Sequence, residues 1–107
     1  MDFKKYILFS DALLCNNKLK YFYTTSYSFE LMLKLYDQSQ SETKMHIDEL
    51  YSNLNSGLPR REAFGKYIDR LDTLGYIKKI THSQKKSMKS IVLSEYIIAE
   101  LDKVFER

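Results

Sequence analysis

Residues 64–79, FGKYIDRLDTLGYIKK, are the stretch that decides the fold. The first eleven carry apolar side chains at the spacing of one helix face, which predicts an amphipathic helix. Gly75 ends this helix, because glycine readily takes the left-handed conformation found after many helices. From Tyr76 to Thr81 the chain is rich in β-branched and aromatic residues, which indicates a strand. The apolar positions of the helix are Phe64, Tyr67, Ile68, Leu71 and Leu74.

A shorter helix precedes this one along the chain. Its apolar residues, Ile47, Leu50, Tyr51 and Leu54, again follow helical spacing, and the segment 53–57 (NLNSG) supplies a stop and a turn. We expect Pro59 to be the first residue of the next helix, where its missing N–H costs nothing. Two helices joined by a short glycine-containing turn predict a helix-turn-helix motif over residues 45–75. Residues 59–74 would be its recognition helix.

The remaining segments complete a winged helix-turn-helix. Residues 76–93 predict a β-hairpin, the wing, with a polar tip at 82–89, and residues 94–107 predict a C-terminal helix. Upstream, residues 1–23 contain an N-terminal helix and arm, and Thr24, Thr25 and Ser26 offer N-cap oxygens for a helix over Phe29 to Tyr36. The segment from Gln38 to Lys44 is polar and predicts a loop. We therefore expect a mainly α fold with a small β-hairpin, in one winged-helix domain spanning 1–107.

Composition excludes several functional classes. The chain has 107 residues and no apolar run long enough to cross a membrane, and no signal peptide is visible, so we expect a cytoplasmic location without a membrane partner. No nucleophile motif, carboxylate pair or phosphate loop is present, which argues against an enzyme. His46 and His82 lack ligand spacing; a helix cap and a wing surface position are expected instead of a metal site. Cys15 is the only cysteine and is expected to be buried, with an intermolecular disulfide or a redox role as the alternatives. No cofactor is expected, and nothing in the sequence indicates a small-molecule effector.

Charge is distributed unevenly along the chain. The net charge is +3, yet residues 59–90 hold nine basic and three acidic side chains. This concentration indicates a surface that meets phosphate, and double-stranded DNA is the expected partner. The candidate DNA-binding residues are Arg60, Arg61, Glu62, Lys66 and Arg70 on the recognition helix, and Lys85, Lys86 and Lys89 on the wing.

The run from Ile68 to Ile77 resembles the end of the recognition helix and the start of the wing in the MarR family of regulators, which carry an (I/V)DRLE-x-x-G-(L/Y)-(I/V) run there. Residues 47–54 and 91–94 are similar to the first helix of the motif and to the returning strand. The resemblance covers residues 27–100 and implies a DNA-binding transcriptional regulator. The wing has SQKKSMK at 83–89 in place of the family's Asp-x-Arg element, and the chain is closer in length to the compact SarA-like branch. By resemblance, Arg60, Arg61 and Lys66 take the DNA-reading positions, and the terminal helices form a dimer interface.

A homodimer is also expected because the last helix has an apolar stripe longer than one small core needs. The predicted interface residues are Phe3, Ile7, Ile97, Ile98, Leu101, Val104 and Phe105.

Three alternatives stay open at this point. A winged helix can act as a protein–protein interaction module of a plasmid, phage or replication system, although basic residues at the reading end argue against it. The aromatic cluster at Tyr21, Phe22, Tyr23, Tyr27 and Phe29 favours core and dimer packing over stacking on single-stranded bases. Arg61 can pair with Glu62 or a neighbouring acidic side chain instead of contacting DNA.

Overall fold

The computed structural model describes residues 3–17, 19, 22, 25–41, 44–55, 57–81 and 89–105, with the backbone alone at residues 5, 6, 9 and 26. Within these residues, five helices and one antiparallel hairpin follow one another in the predicted order. The elements are α1 (Phe3–Leu14), α2 (Ser26–Ser39), α3 (Ile47–Asn53), α4 (Arg61–Thr73), β1 (Ile77–Thr81), β2 (Lys89–Leu93) and α5 (Glu95–Phe105).

The link between α4 and the hairpin forms as the sequence predicts. Gly75 has a φ of 82°, a conformation that is strained for residues with a Cβ. Its carbonyl accepts a hydrogen bond from the Ser94 hydroxyl at 2.5 Å, so the entry to β1 is tied to the end of β2. The two strands pair from Ile77 opposite Leu93 to Thr81 opposite Lys89. The wing tip at 82–88, with His82, Lys85 and Lys86, lies outside the described residues.

A third short extended segment joins the hairpin, which the sequence did not predict. His46 forms an isolated antiparallel bridge with Ser90, and the Ile91 amide donates to the carbonyl of Met45 at 3.0 Å. Gln38 fastens this segment: its Nε2 donates to the Ile91 carbonyl and its Oε1 accepts from the Met45 amide, both at 2.7 Å. The prediction that the loop begins at Gln38 is therefore wrong, because α2 continues to Ser39 and Gln38 is buried.

The helix caps follow the sequence signals. Thr25 is the N-cap of α2, and its hydroxyl accepts from the Ser28 amide while the Ser28 hydroxyl accepts from the Thr25 amide. His46 is the N-cap of α3, as predicted, and its Nε2 lies 3.1 Å from Glu49 Oε1. Both helices therefore begin at residues that satisfy free backbone N–H groups.

The core lies where α2, α4, β2 and α5 meet. Phe64, Ile68 and Leu71 are its residues from α4, and Leu31, Met32 and Leu35 come from α2.

The apolar stripe on α5 was predicted to form a dimer interface, and this prediction needs correction. Ile97, Leu101 and Val104 are buried in the core of the single chain and do not form a free apolar surface, because this side of α5 packs against α1 and α2. Ile98 packs partly against the same core, while Phe105 is 39% exposed and stacks on Tyr36.

The N-terminal region divides its apolar residues between core and solvent. Leu13 is buried, whereas Phe3, Ile7, Leu8 and Leu14 are exposed. Cys15 is exposed as well, so its predicted burial was wrong; it follows the last residue of α1, beyond the end of the packed helix.

The described members of the aromatic cluster belong to the protein interior. Phe22 is fully buried and its ring lies 5.7 Å from that of Tyr76. Tyr27 packs against Phe64 and Tyr67, with centroid distances of 6.2 and 5.5 Å. Tyr21 and Tyr23 lie outside the described residues. Packing thus accounts for the described aromatic rings. In the described part of the chain, no helix combines the length and the apolar character needed to cross a membrane.

Candidate nucleic-acid interface

The start of α4 is the candidate reading end of the helix-turn-helix. The helix begins at Arg61, with Arg60 as its N-cap, so Pro59 precedes the helix instead of opening it. The Arg60 backbone is extended, and its side chain makes no capping hydrogen bond. The Tyr51 hydroxyl of α3 donates to the Pro59 carbonyl at 2.6 Å. This hydrogen bond uses the carbonyl just before the cap and fixes the chain where it enters α4.

The turn between α3 and α4 is held from the other side by α2. The Glu30 carboxylate accepts hydrogen bonds from the Asn55 amide at 2.8 and 3.0 Å and from Asn55 Nδ2 at 3.2 Å. Leu54, directly before Asn55, is buried in the core. The turn is thus anchored by one apolar and one polar contact, and its position relative to α4 is defined.

The outer face of α4 carries both signs of charge. Arg60, Glu62, Lys66 and Arg70 are exposed, in agreement with the predicted outward direction of these candidate residues. Acidic residues share that surface, which the count of charges along the sequence did not reveal. Further acidic residues exposed on α4 are Asp69 and Asp72. Positive charge is therefore concentrated towards the first half of the helix.

Arg61 is less exposed than its neighbours Arg60 and Glu62 and is bound to an acidic side chain. It is half-buried, and its Nε donates to Asp48 Oδ1 of α3 at 2.7 Å. A Cβ added at Gly65 would lie 3.1 Å from Arg61 Nη1, so the guanidinium lies across the bare backbone of Gly65. Arg61 therefore forms an ion pair with a neighbouring acidic side chain, which was the alternative to a DNA contact.

The described part of the wing adds three exposed lysines beside α4. Lys78 and Lys79 lie on β1, and Lys89 begins β2. Lys79 forms an ion pair with Asp69 of α4, which ties the wing to the recognition helix. Lys89 Nζ lies 3.4 Å from the Thr81 hydroxyl across the hairpin. Of the three wing lysines predicted to contact DNA, Lys89 lies within the described residues and is exposed.

Sequence reasoning missed the residues that hold the site together. Asp48, Glu30 and Gly65 were not singled out, although a glycine inside a strongly amphipathic helix is itself a signal of close approach. Contacts such as Arg61 with Asp48 join residues thirteen positions apart on two helices, so no local pattern predicts them.

Comparison with known proteins supports the fold directly. No protein-family model matches the chain, and no curated protein matches its sequence. Among solved structures, MepR, a transcription regulator of the Staphylococcus aureus multidrug efflux pump MepA, is similar with a TM-score of 0.61 and 16% identity, over 96% of this chain and 69% of that one. A MarR-like transcription regulator from Bacillus cereus has a TM-score of 0.59 and 16% identity, over 96% and 68%. The transcriptional repressor CouR, bound to a 23-mer DNA duplex, has a TM-score of 0.59 and 17% identity, over 96% and 66%.

The chain thus has the winged-helix fold of MarR-type regulators, mainly helical with one antiparallel hairpin. The resemblance found at residues 68–77 is confirmed as a likeness of fold.

Proposed function

We propose that this protein is a sequence-specific, double-stranded-DNA-binding transcriptional regulator that acts as a homodimer. The start of α4 enters the major groove, and the wing tip at 82–89 lies on the backbone or in the minor groove. The observation that carries the proposal is the exposed charged end of α4, at Arg60, Glu62 and Lys66, on a helix whose apolar residues Phe64, Ile68 and Leu71 are buried in the core. Winged helix-turn-helix proteins read base edges with this end of the second helix.

The chemistry of these side chains suits DNA. An arginine can hold guanine O6 and N7 or a phosphate with two hydrogen bonds, and a lysine acts as a point charge on phosphate. Glu62 can accept a hydrogen bond from the amino group of cytosine. The structural similarity to a repressor bound to a DNA duplex supports the same partner here. A regulator of this kind acts on DNA in the cytoplasm and needs no catalytic residue.

The homodimer rests on α1 and the end of α5. Phe3, Ile7 and Leu14 recur on one face of α1 and are exposed, and Phe105 is exposed near the end of α5. Exposed apolar residues in such a stripe usually mark an interface. Two copies of the charged end of α4 would then contact one duplex at two half-sites.

The test is equilibrium binding to duplex DNA at several salt concentrations. Neutralising ~6–10 phosphates with two copies should lower the affinity by ~10³–10⁵ between 50 and 200 mM salt, because bound counterions are released. A flat salt response would contradict the proposal and favour a protein–protein interaction module.

Two lysine variants serve as the matched pair for this experiment. Lys66→Ala removes an exposed cation from α4, whereas Lys103→Ala removes an exposed cation from α5, where it lies 3.6 Å from Glu100. Lys66→Ala should weaken duplex binding and reduce the slope of log affinity against log salt by about two, because the homodimer loses one phosphate contact in each copy. Lys103→Ala should leave both quantities unchanged. Equal effects of the two variants would mean that α4 is not the surface that meets DNA.

A further inference from the structure

We propose that Arg61 is a positioning residue that braces α4 against α3 through Asp48, and that base reading falls to Arg60, Glu62 and Lys66. The inference rests on the proposed function and reassigns a residue that sequence reasoning placed among the readers. It concerns how the reading end is held in position for DNA.

The Arg61 side chain is bound to α3 at the protein surface. Its Nε donates to Asp48 Oδ1 at 2.7 Å, in the range of a charge-assisted hydrogen bond. Asp48 lies in the first turn of α3, so this contact spans the two helices of the motif. While Nε is held by this carboxylate, Arg61 cannot offer its Nε–Nη edge to a guanine or a phosphate, and only its Nη groups remain as donors. The reading role therefore competes with an interaction that is already formed.

Gly65 makes room for this arrangement. A glycine inside a helix costs about 0.8–1.0 kcal/mol relative to alanine, so its presence in the middle of α4 calls for a local reason. The space that its side chain would fill is the place of the guanidinium, with Nη1 3.1 Å from a Cβ built there. Arg61 can lie flat along the helix because residue 65, one turn later, has no side chain.

Two further polar contacts hold the same end of the motif. Tyr51 binds the Pro59 carbonyl, and Glu30 binds Asn55 in the turn. With Arg61 and Asp48, these contacts fix the entry to α4 from α3 and from α2. Binding constellations depend on supporting contacts that hold geometry to within about 0.5 Å. The contact between Arg61 and Asp48 lies at the first residue of α4. A small displacement there would move every base-reading side chain.

The deciding experiment measures binding of each protein variant to a selected high-affinity duplex and to duplexes with single base-pair changes. The variants are Arg61→Ala, Asp48→Asn and the two combined. Asp72→Asn is the matched control, because it removes an exposed carboxylate at the other end of α4. Circular dichroism verifies that each variant is folded.

A brace predicts three results. Arg61→Ala and Asp48→Asn each weaken binding to the selected duplex by about two- to fivefold, the range that the free energy of an exposed ion pair allows. The combined variant binds no more weakly than Arg61→Ala, because Arg61→Ala already removes the whole interaction, whereas the amide oxygen in Asp48→Asn can still accept a hydrogen bond. Each base-pair change keeps its wild-type penalty in every variant. Asp72→Asn leaves binding unchanged or tightens it, since a negative charge near phosphate is lost.

A reading role gives a different pattern and would overturn the inference. Arg61→Ala would then make one base pair indifferent, while Asp48→Asn would free Arg61 and tighten binding. Unchanged affinity in both variants would overturn it as well. In these cases the wild-type protein still binds duplex DNA and only the role of Arg61 is wrong. Wild-type protein that binds no duplex would overturn the proposed function together with the inference.

Discussion

Two amphipathic helices of this protein, α4 and α1, use their apolar residues in opposite ways. In α4, Phe64 and Ile68 are completely buried and the outer face is charged. In α1, Phe3 is 78% and Leu8 67% exposed, while Leu13 is buried. Both helices have apolar residues at helical spacing, so the pattern alone does not distinguish them.

The difference separates residues that stabilise the chain from residues available to a partner. Burying an apolar side chain stabilises the protein only where another part of the chain covers it. The core covers the apolar side of α4, and this helix offers charge to its surroundings. Part of α1 remains uncovered in the single chain, and an uncovered apolar face favours association.

The same substitution, phenylalanine to alanine, should have very different effects on stability in α4 and in α1, and this is the largest expected difference. Phe64→Ala removes a fully buried ring from α4 and should lower the free energy of unfolding by ~3–5 kcal/mol, because it leaves a cavity. Phe3→Ala removes an exposed ring from α1 and should change it by at most ~0.5 kcal/mol, as for most surface positions. Urea unfolding followed by circular dichroism, at a concentration where the protein is monomeric, measures both values. Comparable losses would mean that Phe3 is covered by the chain itself.

Dimerisation, unlike the stability of the single chain, should depend on the exposed apolar residues of α1. Phe3→Ala combined with Ile7→Ala should weaken dimerisation at least about tenfold, because each removed side chain occurs twice in a symmetric interface. Leu8→Ala is the matched control, since Leu8 is equally exposed but projects from a different face of α1. Sedimentation equilibrium gives the dissociation constants. A wild-type protein that is monomeric at micromolar concentration, or an equal effect of Leu8→Ala, would contradict the predicted interface.

The smallest expected effect concerns Gly65 in α4. Gly65→Ala should raise the free energy of unfolding by ~0.5–1 kcal/mol, because alanine favours the helix and the Arg61 guanidinium, 3.1 Å from the new Cβ, has to shift by only a few tenths of an ångström. Ala63→Gly, on the exposed face of the same helix, makes the opposite exchange and should lower the free energy by a similar amount. Thermal unfolding of both variants measures the two effects. A loss of stability in Gly65→Ala would mean that the guanidinium cannot move aside.

The order of the elements was predictable because each has a local signal. The apolar periodicity of residues 64–74, the helix stop at Gly75 and the β-rich residues after it all lie within one stretch of chain. The direction of Glu62, Lys66 and Arg70 followed from the same periodicity. The burial of α5 could not be predicted from this periodicity. An apolar stripe containing Ile97 and Leu101 fits an internal core and an interface between two chains equally well.

The winged helix-turn-helix and the charged surface of α4 follow from the amino-acid sequence, because helical periodicity, caps and turns act over a few neighbouring residues. Which apolar residues are covered and which cations are already paired depends on how the helices and the hairpin pack together. Gln38 became a buried link between α2 and the hairpin, and Arg61 became the partner of Asp48. Both depend on residues distant in sequence that meet when the helices pack. Burial and ion pairing are properties of the assembled surfaces and not of any single segment.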